Sequence, residues 1–325
     1  LACIEKSAAQ GALERSAAVN GAAMNVAAID IGTNSVRLLI IDSNARELVR
    51  LMEITRLGQG VDETGALAEE AMSRTVSVLE VYGDSLREHG VTKARVTATS
   101  AARDAKNRGD FFARVKAATG HEPELLPGVE EARLSFLGAT RSLSESQKPP
   151  FVVFDIGGGS TEFARGSKHP GAHLSIDMGS VRITERFLHS DPPSAEQLAS
   201  ARAFIHQELV RVRAELQPDG SETWVGVAGT VTSFAARVVG NQHYDADLTH
   251  GVRLSAEFVR DFSNELCAAT TEQRKLLLIE KKRAAVIHGG ALILQAVMDE
   301  FALPFVVSSE RDILDGLAES LTHSG

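Results

Sequence analysis

The residues best suited to chemistry gather in two short turns. Asp30-Ile31-Gly32-Thr33-Asn34-Ser35 follows the apolar run Val26 to Ile29. Asp155-Ile156-Gly157-Gly158-Gly159-Ser160-Thr161-Glu162 follows the run Phe151 to Phe154. A glycine-rich turn lets successive backbone N–H groups point at one anion, because no Cβ crowds the approach. Gly157, Gly158 and Gly159 suit such a cradle, and Ser160 and Thr161 add hydroxyl donors. Gly32, Thr33, Asn34 and Ser35 have the same character. Asp30 and Asp155 stand where a carboxylate can hold a hard divalent cation or its waters; magnesium binds phosphates jointly with carboxylates. Two hairpins that merely need turn residues are the plain alternative. The duplicated aspartate weighs against it for the pair.

Further candidates lie outside these turns. Glu130 and Glu131 open a helix after Gly128, where acids favour the helix dipole. One of them can instead face a cleft and orient a water. Phosphoryl hydrolysis needs such a base together with charge neutralisation on the transferring group. Arg103, at a strand-to-helix junction, is a candidate for the neutralising role. Gly226-Val227-Ala228-Gly229-Thr230 is another strand-end turn before a helix, and its N–H groups can bind a second phosphate. The Gly-x-x-x-x-Gly-Lys-Ser/Thr loop is absent. Both Asp-Ile-Gly turns lead into strands, so neither is a dinucleotide fingerprint. No Gly-x-Ser-x-Gly elbow occurs. His169 and His173 sit in the loop GSKHPGAH and read as surface residues.

These residues need strands to end beside them and helices to cover them. Strands are expected at 26–29, 36–42, 47–57, 93–99, 123–126, 151–154, 162–164, 172–178, 223–225 and 305–307. Helical spacing covers 67–89, 100–107, 111–118, the segment from Val129 to Gly138, 194–216, 255–268 and 285–300. The polar stretch 139–150, ending in two prolines, reads as a surface loop near a domain junction. This alternation indicates α/β architecture. The openings AAIDIGTNSVRLLIID and VVFDIGGGSTEFARG repeat one frame, strand–Asp–x–Gly–x–x–Ser–strand. Their aspartates are 155 − 30 = 125 residues apart. Two domains facing each other would bring both turns to one ligand.

Composition sets the outer bounds. The chain has 325 residues and a formal net charge of −9, with 43% hydrophobic and 24% charged residues. That is a folded chain of two-domain size. No run approaches the ~18 apolar residues of a membrane helix. The acidic balance weighs against non-specific nucleic-acid binding. Cys3 and Cys267 make no disulfide framework or metal cluster, which fits a reducing cytoplasm. Cys267 reads as buried rather than reactive. Residues 1–23 lack a signal-peptide pattern. They are expected to be a start-site extension before Met24, with one domain over 24–134 and a second over 135–325. The last helix is expected to be able to pack back on the first domain.

Five ordered motifs make the reading specific. AAIDIGTNSVRLLI (27–40), TATSAARDAKN (97–107), GVEEAR (128–133), FDIGGGSTE (154–162) and GVAGT (226–230) together resemble the exopolyphosphatase/guanosine pentaphosphate phosphohydrolase (Ppx/GppA) family. The resemblance runs from about Met24 to the C-terminus. It implies two ribonuclease-H-like domains of the actin-like ATPase superfamily around a cleft. It implies Glu131 as the base that activates water, and Asp30, Asp155 and Glu162 as acids organising magnesium and that water. It makes Gly157, Gly158, Gly159 and Ser160 the main phosphate loop, with Thr33, Asn34 and Ser35 opposite. Arg103 becomes a phosphate-contacting arginine. The family removes a terminal phosphate from inorganic polyphosphate or from guanosine pentaphosphate (pppGpp). It uses magnesium, with manganese as a substitute and potassium as an activator.

Long family members carry further C-terminal helical domains, and this chain ends soon after SSERDILDGLAESL (308–321). Short polyphosphate and a short, actinobacterial-type enzyme are therefore expected, in a cytoplasmic homodimer. Lys281, Lys282 and Arg283 form the clearest basic cluster for a polyanion, with Arg56, Arg133 and Arg141 as a cleft-side stripe. A pppGpp phosphohydrolase, a kinase or ATPase of the same superfamily, and a polyphosphate or nucleotide sensor without turnover are the rivals.

Overall fold

The computed structural model describes residues 25–143 and 146–322. The expectation for residues 1–23, and Cys3 with it, lies outside them. β1 (Asn25–Ile31), β2 (Ser35–Ile41), β3 (Glu47–Ile54), β4 (Val91–Ala98) and β5 (Pro123–Leu125) form one sheet in the order β3-β2-β1-β4-β5. β6 (Phe151–Ile156), β7 (Thr161–Gly166), β8 (Pro170–Ile176), β9 (Thr223–Val227), β10 (Arg253–Ser255) and β11 (Phe305–Ser308) form a second, ordered β10-β11-β9-β6-β7-β8. Without the edge strand β10, the second sheet repeats the first. The first three strands run antiparallel, and the next two run parallel to the central one. This duplicated ribonuclease-H-like sheet is the actin-like α/β architecture.

The main helices are α1 (Glu69–Glu88), α2 (Ser100–Asp104), α3 (Arg108–Thr119), α4 (Gly128–Leu143) and α5 (Ser180–Phe187). They continue with α6 (Ala195–Leu216), α7 (Ala228–Val239), α8 (Ala256–Ala268), α9 (Ile287–Glu300) and α10 (Ile313–Thr322). The central strands β1 and β6 are covered on both faces, which explains their near-continuous apolar runs. Alternate side chains of β1 go to opposite layers. Ala27, Ile29 and Ile31 join Met72, Leu79 and Leu86 of α1 in one core. Val26 and Ala28 meet Leu314 and Leu317 of α10 in another. In the second sheet Val152, Phe154 and Ile156 pack with α6 and α9, while Phe151 and Val153 meet Ala132, Phe136 and Ala139 of α4.

Two helices therefore serve the sheet that they do not follow in sequence. α4 follows β5 of the first sheet yet packs on the second, and α10 follows β11 of the second yet packs on the first. They cross each other closely, since a Cβ on Gly138 would overlap the carbonyl of Asp312. Here the loop expected over 139–150 is corrected. α4 continues to Leu143, and Ala139, Thr140 and Leu143 are buried. Its polar composition misled because Thr140 satisfies its own hydroxyl, donating to the Phe136 carbonyl at 2.7 Å. The junction drawn at 134/135 falls inside this helix. α5 was not anticipated.

Candidate functional site

The two repeated hairpins meet tip to tip. In each, the glycine after the Asp-Ile pair closes a tight turn: Gly32 N donates to Ser35 O at 2.9 Å and Gly157 N to Ser160 O at 3.0 Å. The turns touch across the domain boundary, where a Cβ on Gly158 would lie 2.9 Å from Thr33 Cβ. Only glycine admits that approach. The turns enclose a cleft of about 80 Å³, lined by Asp30, Gly32, Thr33, Asn34, Ser35, Glu131, Asp155, Gly157, Gly158, Gly159 and Ser160. Arg37, Gly229, Thr230 and Arg283 also line it. That volume is roughly two to three waters, the scale of one phosphoryl group with its attacking water. A roomier cavity of about 700 Å³, beside Arg213, Trp224 and Phe301, contains none of these acids.

The hairpin register sets the electrostatics. Asp30 pairs across the ladder with Arg37, and Asp155 pairs with Glu162. These are equivalent positions of the repeat. Arg37 donates to Asp30 Oδ2 through Nη2 at 2.7 Å and Nε at 3.1 Å, and its Nη1 binds Asp312 at the start of α10. The second hairpin has no such cation. Asp155 Oδ2 accepts from Ser135 Oγ at 2.7 Å, and Glu162 Oε1 accepts from Ser175 Oγ at 2.6 Å. Burial raises both carboxyl pKa values; the next largest effect is Asp312 on Asp155, and Asp155 on Glu162. Burial also raises Asp30, against the pull of Arg37.

Glu131 is the acid of GVEEAR that enters the cleft. Glu130 turns aside to Arg133, at 2.7 Å, in the manner of a helix-start ion pair. Burial lifts the Glu131 carboxyl well above its ordinary range, with Glu162 adding to the rise and Arg103 opposing it. Arg103 Nη1 donates to Glu131 Oε2 at 2.8 Å and to Leu126 O at 2.9 Å, while Nη2 reaches Ser160 Oγ at 3.4 Å. The arginine expected on phosphate is thus the group that fixes Glu131, and it is not among the residues that line the cleft.

Asp30 Oδ1, Glu162 Oε2, Thr33 Oγ1 and Asn34 Oδ1 are buried without a hydrogen-bond partner among the described residues. Buried unpaired oxygens of this kind ask for a ligand. Asp30, Asp155 and Glu162 do not close into a protein-only cage, for no group of three His, Cys, Asp or Glu suited to a metal occurs among the described residues. A hard cation that completes its shell with phosphate and water still fits this donor set.

The basic cluster divides. Arg283 lines the cleft, Lys282 Nζ binds Glu53 of the first domain at 2.8 Å, and Lys281 is exposed. Arg56, Arg133 and Arg141, expected as a stripe beside the cleft, are not among the residues that line it. Arg133 is held by Glu130, Arg141 by Glu319 and Arg56 by the Lys282 carbonyl. His169 and His173 are exposed, and Cys267 is buried, its thiol pushed up to about 11 by burial. Residue reading missed Arg37, Ser135, Ser175 and Asp312. Arg37 alone had a signal, seven residues after Asp30 as Glu162 is after Asp155.

Known proteins resemble this chain over most of its length. The Ppx/GppA phosphatase family matches residues 28–324. Exopolyphosphatase 2 of Mycobacterium tuberculosis H37Rv is 41% identical over 91% of this chain and 98% of its own length. The crystal structure of an exopolyphosphatase-like protein superposes with a TM-score of 0.88 at 35% identity, covering 92% of this chain and 99% of that one. The Aquifex aeolicus Ppx/GppA enzyme gives 0.76 at 32%, over 91% and 99%. With a family match over residues 28–324 and this breadth of identity, the chain belongs to the Ppx/GppA phosphatase family.

Proposed function

We propose that the protein is an exopolyphosphatase that hydrolyses the terminal phosphoanhydride of inorganic polyphosphate. The carrying observation is the cleft itself: buried, partly unpartnered carboxylates face two glycine turns across a space of one phosphoryl group. The terminal phosphate lies between Thr33, Asn34 and Ser35 on one wall and Gly157, Gly158, Gly159 and Ser160 on the other. Gly229 and Thr230 meet the next phosphate. Glu131, oriented by Arg103, takes the proton of the attacking water, as its raised proton affinity suits. The shortened chain leaves as an anion that needs little protonation, so no covalent intermediate is required. Asp30, Asp155 and Glu162 would hold Mg²⁺, which when bound neutralises phosphoryl charge. Manganese as a substitute and potassium activation rest on the resemblance alone, as does the homodimer; the cytoplasmic location rests on the two cysteines that make no disulfide framework. Among the described residues no helix is long and apolar enough to cross a membrane.

A preference for short chains is supported by the divided basic cluster. Four of the six cations expected to guide a long polyanion are tied to acids: Lys282, Arg283, Arg133 and Arg141. The deciding measurement is phosphate release from defined short and long polyphosphates, pppGpp and ATP, with magnesium and after chelation. Turnover of short polyphosphate that chelation abolishes is expected. Turnover confined to pppGpp would replace the reading. Glu131→Gln should keep substrate binding and lower kcat by about 10²- to 10⁴-fold. A near-normal initial rate would remove Glu131 from the mechanism.

A further inference from the structure

The carbonyls of the second glycine turn are all held on one side. Gly157 O accepts from Ser180 N at 2.9 Å, Gly158 O from Val181 N at 2.8 Å, and Gly159 O from Arg182 Nε at 2.7 Å. In a trans peptide the carbonyl and the next N–H point in opposite directions. Anchoring these carbonyls on α5 therefore turns the N–H groups of Gly158, Gly159 and Ser160 away from α5, into the donor orientation that an anion needs. The first two anchors are backbone groups of the same domain. The third is a side chain whose own support comes from the other domain.

Arg182 is almost wholly enclosed, with its side chain 10% exposed. Nη1 binds Asp62, and Nη2 binds Asp104 and approaches Ser100 Oγ at 3.4 Å. All three partners belong to the first domain. One turn along α5, Arg186 also grips Asp62, through Nη2 at 2.7 Å and Nε at 3.0 Å. Beside it the Glu185 carboxylate accepts from Gly60 N at 3.1 Å. A planar fork of fixed donors can serve a carbonyl and two carboxylates together; an ammonium group cannot match that geometry.

We propose that Arg182 is a positioning residue that couples domain closure to assembly of the phosphate cradle. Its guanidinium holds the Gly159–Ser160 peptide in the donor orientation only while Asp62 and Asp104 hold the guanidinium. Separation of the domains releases the fork and lets that peptide turn. This inference rests on the phosphohydrolase reading above and adds a residue outside the motifs that suggested it.

The test uses the full chain with Arg182→Ala, Arg182→Lys, Asp104→Asn and the double variant Arg182→Ala/Asp104→Asn. Three quantities are read: kcat and KM for short polyphosphate, melting temperature, and radius of gyration by small-angle scattering. Arg182→Ala should lower kcat by about 100-fold, as loss of an oriented oxyanion donor does, with a smaller change in KM. Arg182→Lys should keep the closed radius, through its pairs with the acids, yet lower kcat by about 10-fold because the Gly159 carbonyl is released. Asp104→Asn should act in the same direction as Arg182→Ala, and the double variant should be no worse than Arg182→Ala alone. Wild-type kcat in Arg182→Lys, or additive losses in the double variant, would overturn the proposal. A wild-type protein that releases no phosphate would overturn the proposed function instead, while scattering would still read the latch.

Discussion

Asp30–Arg37 and Asp155–Glu162 occupy the same two places in a repeated hairpin, yet only the first pair neutralises itself. The uncompensated acids therefore collect on the second domain, where burial lifts Asp155 to about 7 and Glu162 to about 8. Raised folded-state values mean that the folded protein binds these protons more tightly than the unfolded chain does. The stabilisation they give is complete below the ordinary carboxyl range and is lost as pH rises through 7 and 8. His250 and His288 are held below their ordinary 6.5 and so oppose this only at lower pH. The unliganded protein should accordingly melt at a lower temperature at pH 8 than at pH 6.5. Glu162→Gln should flatten that slope while removing activity. Thermal melts across this range decide it, and an unchanged slope in Glu162→Gln would refute the assignment.

At the scale of elements, the crossing of α4 and α10 connects the two sheets and the site. Gly138 lies against the Asp312 carbonyl and Gly316 against the Leu134 carbonyl, so neither position has room for a methyl group. The same Asp312 clamps Arg37, which clamps Asp30. Gly138→Ala should destabilise the fold by about 1–3 kcal/mol through overpacking. It should also move Asp312 away from Arg37, so kcat should fall at temperatures where the variant is still fully folded. Urea unfolding followed beside initial rates tests both parts. An unshifted unfolding midpoint would show that the crossing has slack.

Across the whole molecule, closure rests on two kinds of bridge. Lys282–Glu53 is exposed on both sides, at 66% and 49%, whereas Arg182 is enclosed. An exposed pair contributes about 0–1 kcal/mol and is screened by salt. Lys282→Ala should therefore leave the melting temperature nearly unchanged. Lys281 is exposed and has no acidic partner among the described residues. Lys281→Glu should raise KM more for long polyphosphate than for short, if the chain leaves the cleft past Arg283. Equal KM changes across a series of chain lengths would send the chain by another route. The net charge of −9 is no obstacle to either result, because the cations that matter are local.

By itself the amino-acid sequence determined the repeated hairpin, the apolar central strands, the two glycine turns and the helix that begins with Glu130 and Glu131. Each is a local pattern, carried by period, turn chemistry or a strand end, and local sterics express it before any distant contact forms. The family resemblance already pointed to Glu131 of the two glutamates; the tertiary structure alone decided that Arg37 belongs to Asp30 and Asp312. It decided that α4 runs on through a polar stretch, and that the basic cluster separates into a cleft arginine and a domain bridge. The physical reason is separation along the chain. Arg37 and Asp312 are 275 residues apart, and Arg182 and Asp62 are 120 apart. No spacing rule links such residues; they meet because the apolar faces of two sheets and two crossing helices leave them no other place.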